Sequence, residues 1–415
     1  MFYYRQDNKI LFSKTKYDYL ESITEIIAKE QGNELYYLKK MNPLTSRRSF
    51  SLSDPSLMDI EKEEINLLQR ESIAVDKRLP EWIMDKIKQR RVTCVNTRYP
   101  RWKEVLSHSY PEKWKVNVLG LGDVGGTLIT GFRLLGGDCI SEIGIYDRNE
   151  NKKTRWILET NQIFSSFDDK SYPRVKGITS DELFDCDMFV FCASVGVPPV
   201  GEETKDVRMI QFEGNSKILS SYAKMARNKG FKGIFSVVSD PVDLLCKSVF
   251  INSNTDENGE MDYEGLAPEQ IRGYGLGVMN ARAAYYAGLS EDTNYYLTEG
   301  RAYGPHGEGL IIADSIEGYD EEKSLFLTKK AREANLEVRE AGFKPYIAPA
   351  LSSGSLSLLA TIRGQWNYST TYMGGVFMGS KNRFTSAGLE IERLDLPQKL
   401  LNRLEETYNN LRSII

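Results

Sequence analysis

One stretch, Lys115 to Asp147, constrains the fold of this 415-residue chain more than any other. It opens with an alternating apolar run, turns through three glycines and continues with apolar residues at helical spacing. A glycine pair ends that pattern, and a second apolar run follows and stops at Asp147. Strand, turn, helix and strand in this order predict a βαβ unit with parallel strands.

The three glycines of the turn are Gly120, Gly122 and Gly125, with the spacing G-x-G-x-x-G. Such glycines permit a tight turn and let the backbone approach a pyrophosphate at the positive end of the following helix. Asp147 comes 22 residues after Gly125, where an acid would accept hydrogen bonds from an adenosine ribose. The stretch therefore predicts a dinucleotide site, with Asp123 and Val124 beside it. The plainer alternative is a glycine-rich turn that only closes a βαβ corner.

The residue pair at the end of the second strand bears on the choice of dinucleotide. Asp147 favours NAD over NADP because its carboxylate would repel a 2′-phosphate. Arg148, directly after it, keeps NADP as an alternative.

Composition excludes several classes of protein. Acidic residues number 58 against 54 basic ones, so no general attraction to nucleic acid or to an anionic membrane follows. The five cysteines form no C-x-x-C pair, which argues against a disulfide framework or a structural zinc site, and we expect no metal. No uncharged apolar run is long enough to span a bilayer, and the first residues lack the apolar core of a signal peptide. These features favour a cytoplasmic location.

The pattern along the chain predicts three parts: an accessory domain over 1–112, a dinucleotide-binding domain over 113–265 and a second lobe over 266–415. In the first part we expect a hairpin near the start, helices over 17–30, 56–70 and 80–91, and no catalytic constellation. From Lys115 onward, strands alternate with helices, which implies a parallel sheet with right-handed crossovers. Ligands of such sheets gather at the carboxyl ends of the strands, here in loops 120–125, 193–208 and 239–243.

Residues from about 115 to the end resemble the lactate and malate dehydrogenase family. The resemblance rests on an ordered set of motifs: Gly120-Leu-Gly-Asp-Val-Gly125, Tyr146-Asp147, Val238-Ser-Asp-Pro-Val-Asp243, Asn280-Ala-Arg282 and Gly304-Pro-His-Gly-Glu308, with Arg208, Asn215 and Ile218 as a looser sixth. It implies an α/β fold: a Rossmann-type parallel sheet domain, then an α+β C-terminal domain. The accessory domain in front of them would be small, either α/β or mostly α.

The resemblance also implies roles for individual residues. NAD would contact Ala193, Ser194 and Val238 besides the glycine-rich turn. His306 would move the substrate proton, since imidazole has a pKa near working pH. Arg282 would hold a substrate carboxylate with its planar fork, and Arg208 would stabilise the developing alkoxide from a closing loop. Ser352 and Ser353 would line the pocket or only cap a helix.

Two positions depart from the family pattern. The family has an aspartate three residues before the carboxylate-binding arginine, and this chain has Met279 there. The family has asparagine before the proline of the strand-end motif, and this chain has Asp240. A thioether cannot orient an imidazole as a carboxylate does. We therefore predict that Asp240 pairs with His306 and replaces the missing aspartate.

The specificity loop departs as well. Residues 197–205 carry Glu202 and Glu203 and no arginine suited to a second substrate carboxylate. This composition disfavours a second anion on the substrate, unless both glutamates face solvent.

Two functions fit these observations. The first is an NAD-dependent dehydrogenase acting on a 2-hydroxy or 2-oxo acid or a related small substrate, which the joint presence of Arg208, Arg282 and His306 favours. The second is a dinucleotide-binding protein with impaired catalysis and a regulatory or assembly role, which Met279 and Asp240 favour. A glycosidase that uses NAD transiently lacks its metal-ligand signature here. Family resemblance implies a homodimer or homotetramer.

Overall fold

The computed structural model describes residues 1–70, 79–166, 171–195 and 207–414. The α-helices in these ranges are α1 (Glu25–Gln31), α2 (Glu81–Lys88), α3 (Asp123–Leu135), α4 (Glu150–Asn161), α5 (Val207–Asn228), α6 (Val242–Asn254), α7 (Leu276–Ala287), α8 (Tyr296–Glu299), α9 (Glu321–Glu340), α10 (Ser357–Ile362) and α11 (Gln398–Ile414).

The strands in the same ranges form two large sheets and one small one. They are β1 (Phe2–Gln6), β2 (Lys9–Ser13), β3 (Glu21–Ile23), β4 (Leu35–Lys39), β5 (Ser49–Ser51), β6 (Val92–Asn96), β7 (Trp114–Leu119), β8 (Ile140–Tyr146), β9 (Arg174–Gly177), β10 (Met188–Phe191), β11 (Ile234–Val237), β12 (Ile271–Gly273), β13 (Arg301–Tyr303), β14 (Ile311–Ala313), β15 (Asn367–Met373), β16 (Val376–Thr385) and β17 (Gly388–Ile391).

The N-terminal part is built on a six-stranded sheet with the order β3-β1-β2-β4-β6-β5. The predicted hairpin is present as β1 and β2, which pair antiparallel with Tyr3 opposite Phe12. Strands β2, β4 and β6 run parallel, and the short edge strand β5 runs antiparallel to β6. The accessory part is therefore α/β rather than mostly α.

The helix predicted over 56–70 is wrong. The structure has two short 3-10 turns there, Pro55–Met58 and Ile65–Leu68. Their apolar side chains are buried, including Leu57 and Leu68, so the pattern did report burial. These side chains pack against distant parts of the chain, so their spacing does not indicate a helix. The helix predicted over 17–30 is only partly correct. α1 begins at Glu25, and the strand β3 lies in the first half of the predicted range.

The central sheet has nine strands in the order β17-β16-β15-β12-β11-β10-β7-β8-β9. The six strands from β9 to β12 run parallel, as the alternating strand and helix pattern predicts. The antiparallel strands β15, β16 and β17 extend this sheet, joined where Gly273 pairs with Thr370. The second lobe is thus continuous with the dinucleotide-binding sheet.

The parallel strands place the site at one edge of the sheet. Strands β7, β10 and β11 are neighbours, and their carboxyl ends are Leu119, Phe191 and Val237. The loops that follow them carry the glycine-rich turn, Ala193 and Asp240. Because parallel strands end at the same edge, these loops converge there.

The N-terminal part shares a hydrophobic core with the C-terminal lobe. Leu35, Phe50 and Leu68 from the first part belong to one buried cluster with Met378 and Leu404. An ion pair between Arg48 and Glu269 also ties this part to the segment before β12, with Nε and Oε1 3.2 Å apart. The N-terminal part is therefore packed into the body of the molecule and is not held by a linker alone.

Candidate active site

The turn between β7 and α3 is shaped by close backbone packing. Gly120 has φ of +96°, and a Cβ there would lie 2.7 Å from the backbone nitrogen of Ala193. A Cβ on Gly125 would lie 1.9 Å from the carbonyl oxygen of Gly120. Side chains at these two positions would push the strands and helix apart. Both glycines therefore serve the packing of the βαβ unit.

Gly122 differs from the other two glycines because a Cβ built on it meets no atom within 4 Å. It is exposed, and it is the N-cap of α3, where no side chain caps the helix. The start of α3 therefore has open space beside a residue without a side chain. This arrangement fits the pyrophosphate of a dinucleotide, which binds at the positive end of a helix.

Asp147, directly after the neighbouring strand β8, is hydrogen-bonded to the glycine-rich turn. Its Oδ2 accepts a hydrogen bond of 2.9 Å from the backbone N–H of Leu121, and its Oδ1 accepts one of 3.0 Å from Asn149. Each carboxylate oxygen can accept further bonds, so the group can still receive ribose hydroxyls. Arg148 beside it is exposed, and the Nζ atom of Lys152 lies 4.0 Å from Oδ2.

The other predicted cofactor residues lie along the same edge. Val238 donates its backbone N–H to the carbonyl oxygen of Phe191, which joins the ends of β10 and β11. The carbonyl oxygen of Ala193 accepts a hydrogen bond of 2.7 Å from Ser239. Ser194 is exposed, and its hydroxyl donates to the carbonyl of Val195. In α3, Asp123 is exposed and Val124 is half-buried.

The structure contains the carboxylate–imidazole pair that the sequence predicts. The Nδ1 atom of His306 lies 2.7 Å from Oδ1 of Asp240. The histidine side chain is 19% exposed and that of the aspartate is 49% exposed, so the pair lies at the wall of an open site. A contact of this length between a ring nitrogen and a carboxylate is a strong, charge-assisted hydrogen bond when the imidazole is protonated.

A second carboxylate holds the histidine loop from its backbone. The buried Asp243 accepts the His306 N–H at Oδ2, at 3.2 Å, and the Thr370 hydroxyl at Oδ1, at 2.7 Å. Burial raises the pKa of this carboxyl to about 6, although both hydrogen bonds and the nearby imidazole lower it. Asp240 therefore contacts the ring of His306, and Asp243, three residues later, accepts a hydrogen bond from the main chain of the same residue.

Arg282 and Met279 face each other on α7. Nη1 of Arg282 lies 3.8 Å from the sulfur of the buried Met279 and donates to the carbonyl oxygen of Ala331 at 3.3 Å. Burial lowers the pKa of the guanidinium, while the charge of Asp240 raises it. The arginine therefore lies within electrostatic reach of the Asp240–His306 pair.

Two predicted features lie partly or wholly outside the described residues. The backbone of Arg208 lies in the first turn of α5, and its side chain is not among those described. The specificity loop over 197–205, with Glu202 and Glu203, is also outside the described ranges.

The two predicted serines differ in their surroundings. The buried Ser353 accepts the backbone N–H of Val278 and donates to the carbonyl of Gly275, both at 2.8 Å. Its hydroxyl is therefore directed at the start of α7. Ser352 is half-buried, and its carbonyl accepts the Ser357 hydroxyl.

Sequence reasoning missed two contributors to the site. One is Asp243, which lies at the end of the Val238–Asp243 motif, and the apolar residues around it indicate that its carboxylate is buried. The other is Lys344, whose Nζ atom lies 3.3 Å from Oδ2 of Asp123 in the glycine-rich turn. Nothing local to Lys344 in sequence indicates that contact.

Among the described residues, no group of three or more His, Cys, Asp or Glu side chains is placed to hold a metal ion. No helix in these ranges is long and apolar enough to cross a membrane. All five cysteines are free thiols.

Comparison with known proteins agrees with this geometry. Residues 114–261 match the family described as lactate/malate dehydrogenase, NAD binding domain. The L-lactate dehydrogenase of Staphylococcus epidermidis is 23% identical over 332 residues, which are 72% of this chain and 98% of that enzyme. L-lactate dehydrogenase 2 of Staphylococcus aureus strain Newman is 24% identical over 331 residues, with the same coverage of both chains.

Solved structures show the same fold. The minor L-lactate dehydrogenase of Enterococcus mundtii superposes with a TM-score of 0.60 at 20% identity, covering 73% of this chain and 98% of that one. The lactate dehydrogenase of Cryptosporidium parvum, complexed with lactic acid and nicotinamide adenine dinucleotide, gives 0.58 at 18% identity, covering 74% and 98%. Residues 114–261 are thus an NAD-binding domain, and the chain resembles the lactate/malate dehydrogenase family in sequence and in fold.

Proposed function

We propose that this protein is an NAD-dependent dehydrogenase that interconverts a 2-hydroxy acid and the corresponding 2-oxo acid. The observation that carries the proposal is the 2.7 Å contact between Asp240 and His306 at the carboxyl edge of the NAD-binding sheet. A histidine oriented by a carboxylate is the arrangement that acid–base catalysis on an alcohol requires.

The pair defines a proton relay within the chain. With Asp240 ionised, Nδ1 of His306 keeps its proton and donates a hydrogen bond to Oδ1, so Nε2 is the nitrogen that exchanges a proton with the substrate oxygen. During oxidation of the alcohol, His306 takes the hydroxyl proton and becomes positively charged. The carboxylate of Asp240 stabilises that charge, and Asp243 keeps the histidine loop in place. NAD, when bound, supplies the acceptor for the two electrons and the hydrogen from carbon.

Arg282 is proposed to hold the substrate carboxylate. Its guanidinium carries donors in a fixed plane that match two carboxylate oxygens, and Met279 offers it no competing acid. Arg208 is proposed to act on the substrate oxygen, on the ground of its place at the start of α5 and the family resemblance.

The two departures from the family pattern complement each other under this proposal. A carboxylate missing from α7 at Met279 is regained at the end of β11 as Asp240, and the histidine keeps an acidic partner. This chain consequently lacks the asparagine amide that, in the family pattern, donates a hydrogen bond to the substrate oxygen. We infer that this chain carries out the same class of reaction with a rearranged set of side chains.

A dinucleotide-binding protein with impaired catalysis is the second candidate. It is favoured by the 49% exposure of the Asp240 side chain, because an exposed carboxylate orients an imidazole less firmly than a buried one. In that case NADH binds and no substrate is reduced.

One experiment separates the two candidates. Binding is followed by the change in NADH fluorescence, and turnover by loss of NADH absorbance with a panel of 2-oxo acids, including amine-bearing ones. The dehydrogenase proposal expects saturable oxidation of NADH with at least one member of the panel. Binding without turnover across the whole panel favours the impaired protein.

Assembly and location are also proposals. We infer a homodimer or homotetramer in the cytoplasm, in line with the family resemblance. Large exposed apolar side chains on and after α7 and α9 support association: Tyr285 is 64% exposed, Leu289 67% and Phe343 73%. Light scattering on the eluting protein measures the mass directly, and a monomer would contradict the inference.

A further inference from the structure

The side chain of Lys344 connects the second lobe to the start of α3. Its Nζ atom lies 3.3 Å from Oδ2 of Asp123, the first residue of that helix. The two side chains are 83% and 52% exposed, and an ion pair so exposed contributes little to the stability of a fold. Stability therefore gives no strong reason for a lysine at this place, beside the glycine-rich turn.

The backbone that carries Lys344 is held on both sides. α9 ends in a Schellman motif, with Gly342 at φ of +87° and the N–H of Phe343 donating to the carbonyl of Val338. Beyond Lys344, the π-type segment Pro349–Leu356 packs closely on α3. The lysine is therefore fixed at the boundary between the second lobe and the helix that follows the glycine-rich turn.

The charges at the start of α3 conflict with the binding of a dinucleotide. In the free protein the carboxylate of Asp123 is favourable there, because the first turn of a helix carries a partial positive charge. A dinucleotide brings the negative charges of its pyrophosphate to the same turn. Like charges about 4 Å apart repel each other at the surface of a protein, so Asp123 opposes the pyrophosphate unless a cation compensates.

The ammonium group of Lys344 has capacity for both anions. It carries three N–H donors, and one of them reaches Asp123. The rest of the group faces solvent, and the adjacent N-cap Gly122 leaves open space, since a Cβ there would meet no atom within 4 Å. Lys344 also lines a cleft of about 820 Å³ together with Arg282, so it connects the glycine-rich turn with the arginine proposed to bind the substrate.

We propose that Lys344 is a cofactor-binding residue, and that its ammonium group bridges the carboxylate of Asp123 and an oxygen of the NAD pyrophosphate. The second lobe then supplies a positive charge to a site whose other predicted residues belong to the NAD-binding domain. This role depends on NAD binding and not on turnover, so affinities alone decide it.

The test measures the NADH affinity of the full-length protein by fluorescence titration at low salt, where charge interactions are least screened. Lys344→Gln should weaken binding about tenfold, because the pyrophosphate loses a charge-assisted hydrogen bond. Lys344→Arg keeps the charge and should bind NADH within about threefold of the wild type. Wild-type affinity in Lys344→Gln would overturn the proposal.

The matched control is Lys399→Gln. It removes the ammonium group from an ion pair with Glu321, in which the two side chains are 77% and 43% exposed. This pair involves α9 and α11 and not the glycine-rich turn, so the variant should bind NADH as the wild type does. An equal loss of affinity in Lys399→Gln and Lys344→Gln would mean that the loss does not come from the pyrophosphate.

A second background separates a contact with the cofactor from a contact with Asp123 alone. In Asp123→Asn the repelling carboxylate is absent, yet Lys344→Gln should still weaken NADH binding about threefold or more, since the pyrophosphate loses its cation. No loss in that background would show that Lys344 only neutralises Asp123, which would overturn the bridge to the pyrophosphate.

Two fragments of the cofactor locate the contact. ADP-ribose contains the pyrophosphate and should lose affinity in Lys344→Gln as NADH does. The dissociation constant of adenosine, which has no phosphate, should not change when measured by competition with NADH. Equal losses for both fragments would overturn the proposal. NADH binding without turnover would leave this role standing while the dehydrogenase proposal fails, and a wild type that binds no NADH would overturn both.

Discussion

The imidazole of His306 and the carboxylate of Asp240 are hydrogen-bonded at 2.7 Å, although 66 residues separate them in sequence. The contact joins the end of β11 to the loop between β13 and β14. In the family pattern the acidic partner would stand on α7, where this chain has Met279. Under the proposed function, the acidic partner of the histidine therefore comes from another element.

Gly122→Ala should weaken NADH binding by about tenfold or more and leave the melting temperature unchanged. Its φ of −77° suits alanine, and the added Cβ meets no protein atom, so the fold loses nothing. The methyl group would occupy the space where the pyrophosphate approaches α3. The pyrophosphate would then lose a charge-assisted hydrogen bond to the backbone, which contributes roughly 1.5–3 kcal/mol. Fluorescence titration and thermal unfolding give the two quantities.

Gly125→Ala is the matched comparison, because its Cβ would lie 1.9 Å from the Gly120 carbonyl oxygen. It should lower the melting temperature as well as the affinity. Unchanged NADH binding in Gly122→Ala would contradict the placement of the dinucleotide.

Arg282→Lys should raise KM for the 2-oxo acid by about tenfold to a hundredfold, since the ammonium group cannot bind both carboxylate oxygens in one plane. The affinity for NADH should not change. Steady-state kinetics over the acid concentration checks this, with the exposed Arg339→Lys on α9 as control. Equal KM values in both variants would show that the carboxylate binds elsewhere.

The unfolding free energy of Asp243→Asn should increase relative to that of the wild type as pH rises from about 4 to 7. The folded-state pKa of about 6 lies above the ordinary value of 3.8, so the wild type loses stability as pH rises through this window. Asparagine does not titrate, and the difference should reach about 3 kcal/mol at most. Denaturant unfolding at both ends of the window measures it.

A difference between Asp243→Asn and the wild type that stays constant across this window would contradict the prediction, because it would mean that burial does not disfavour the ionised carboxyl of Asp243.

Glu63→Gln should cost about 3–5 kcal/mol of unfolding free energy, because it leaves the guanidinium of Arg47 buried without a charge partner. Nε of Arg47 lies 2.8 Å from Oε2 of Glu63, and the two side chains are 3% and 0% exposed. Denaturant unfolding gives the loss. The exposed Glu61→Gln should show almost none, and a similar loss in both variants would argue against the buried pair.

The sequence predicts the βαβ unit from β7 to β8 well because that unit is local. Gly120, Gly122, Gly125 and Asp147 lie in one βαβ unit, where spacing alone sets geometry. The contact between Asp240 and His306 is predictable for a different reason: Met279 and Asp240 both depart from the family pattern, and the two changes are chemically complementary.

The parts that sequence does not predict depend on distant contacts. Leu57 and Leu68 are buried against the C-terminal lobe, so their spacing follows that surface and not a helix. A π-type segment, Pro349–Leu356, precedes α10 and packs closely on α3 through Gly131 and Ser355, and no local pattern in the sequence indicates it. A cleft of about 710 Å³ that includes His306 in its wall is likewise formed by four segments that are distant in sequence.

A double variant sharpens the central claim. Asp240→Asn combined with Met279→Asp restores the residue types of the family at both positions. If the relay has moved between elements, the double variant should recover at least about tenfold of the turnover that Asp240→Asn alone loses, since the histidine regains an acidic partner. Activity no higher than that of the single variant would mean that position 279 cannot serve His306 in this fold.

The most direct measurement is kcat of Asp240→Asn on the best 2-oxo acid, taken together with its affinity for NADH. An amide at this position favours the wrong imidazole tautomer and cannot stabilise the charged ring. We predict that kcat falls by about a hundredfold or more while NADH binds as in the wild type. Wild-type turnover in Asp240→Asn would contradict the assignment of Asp240 and His306 as the proton relay.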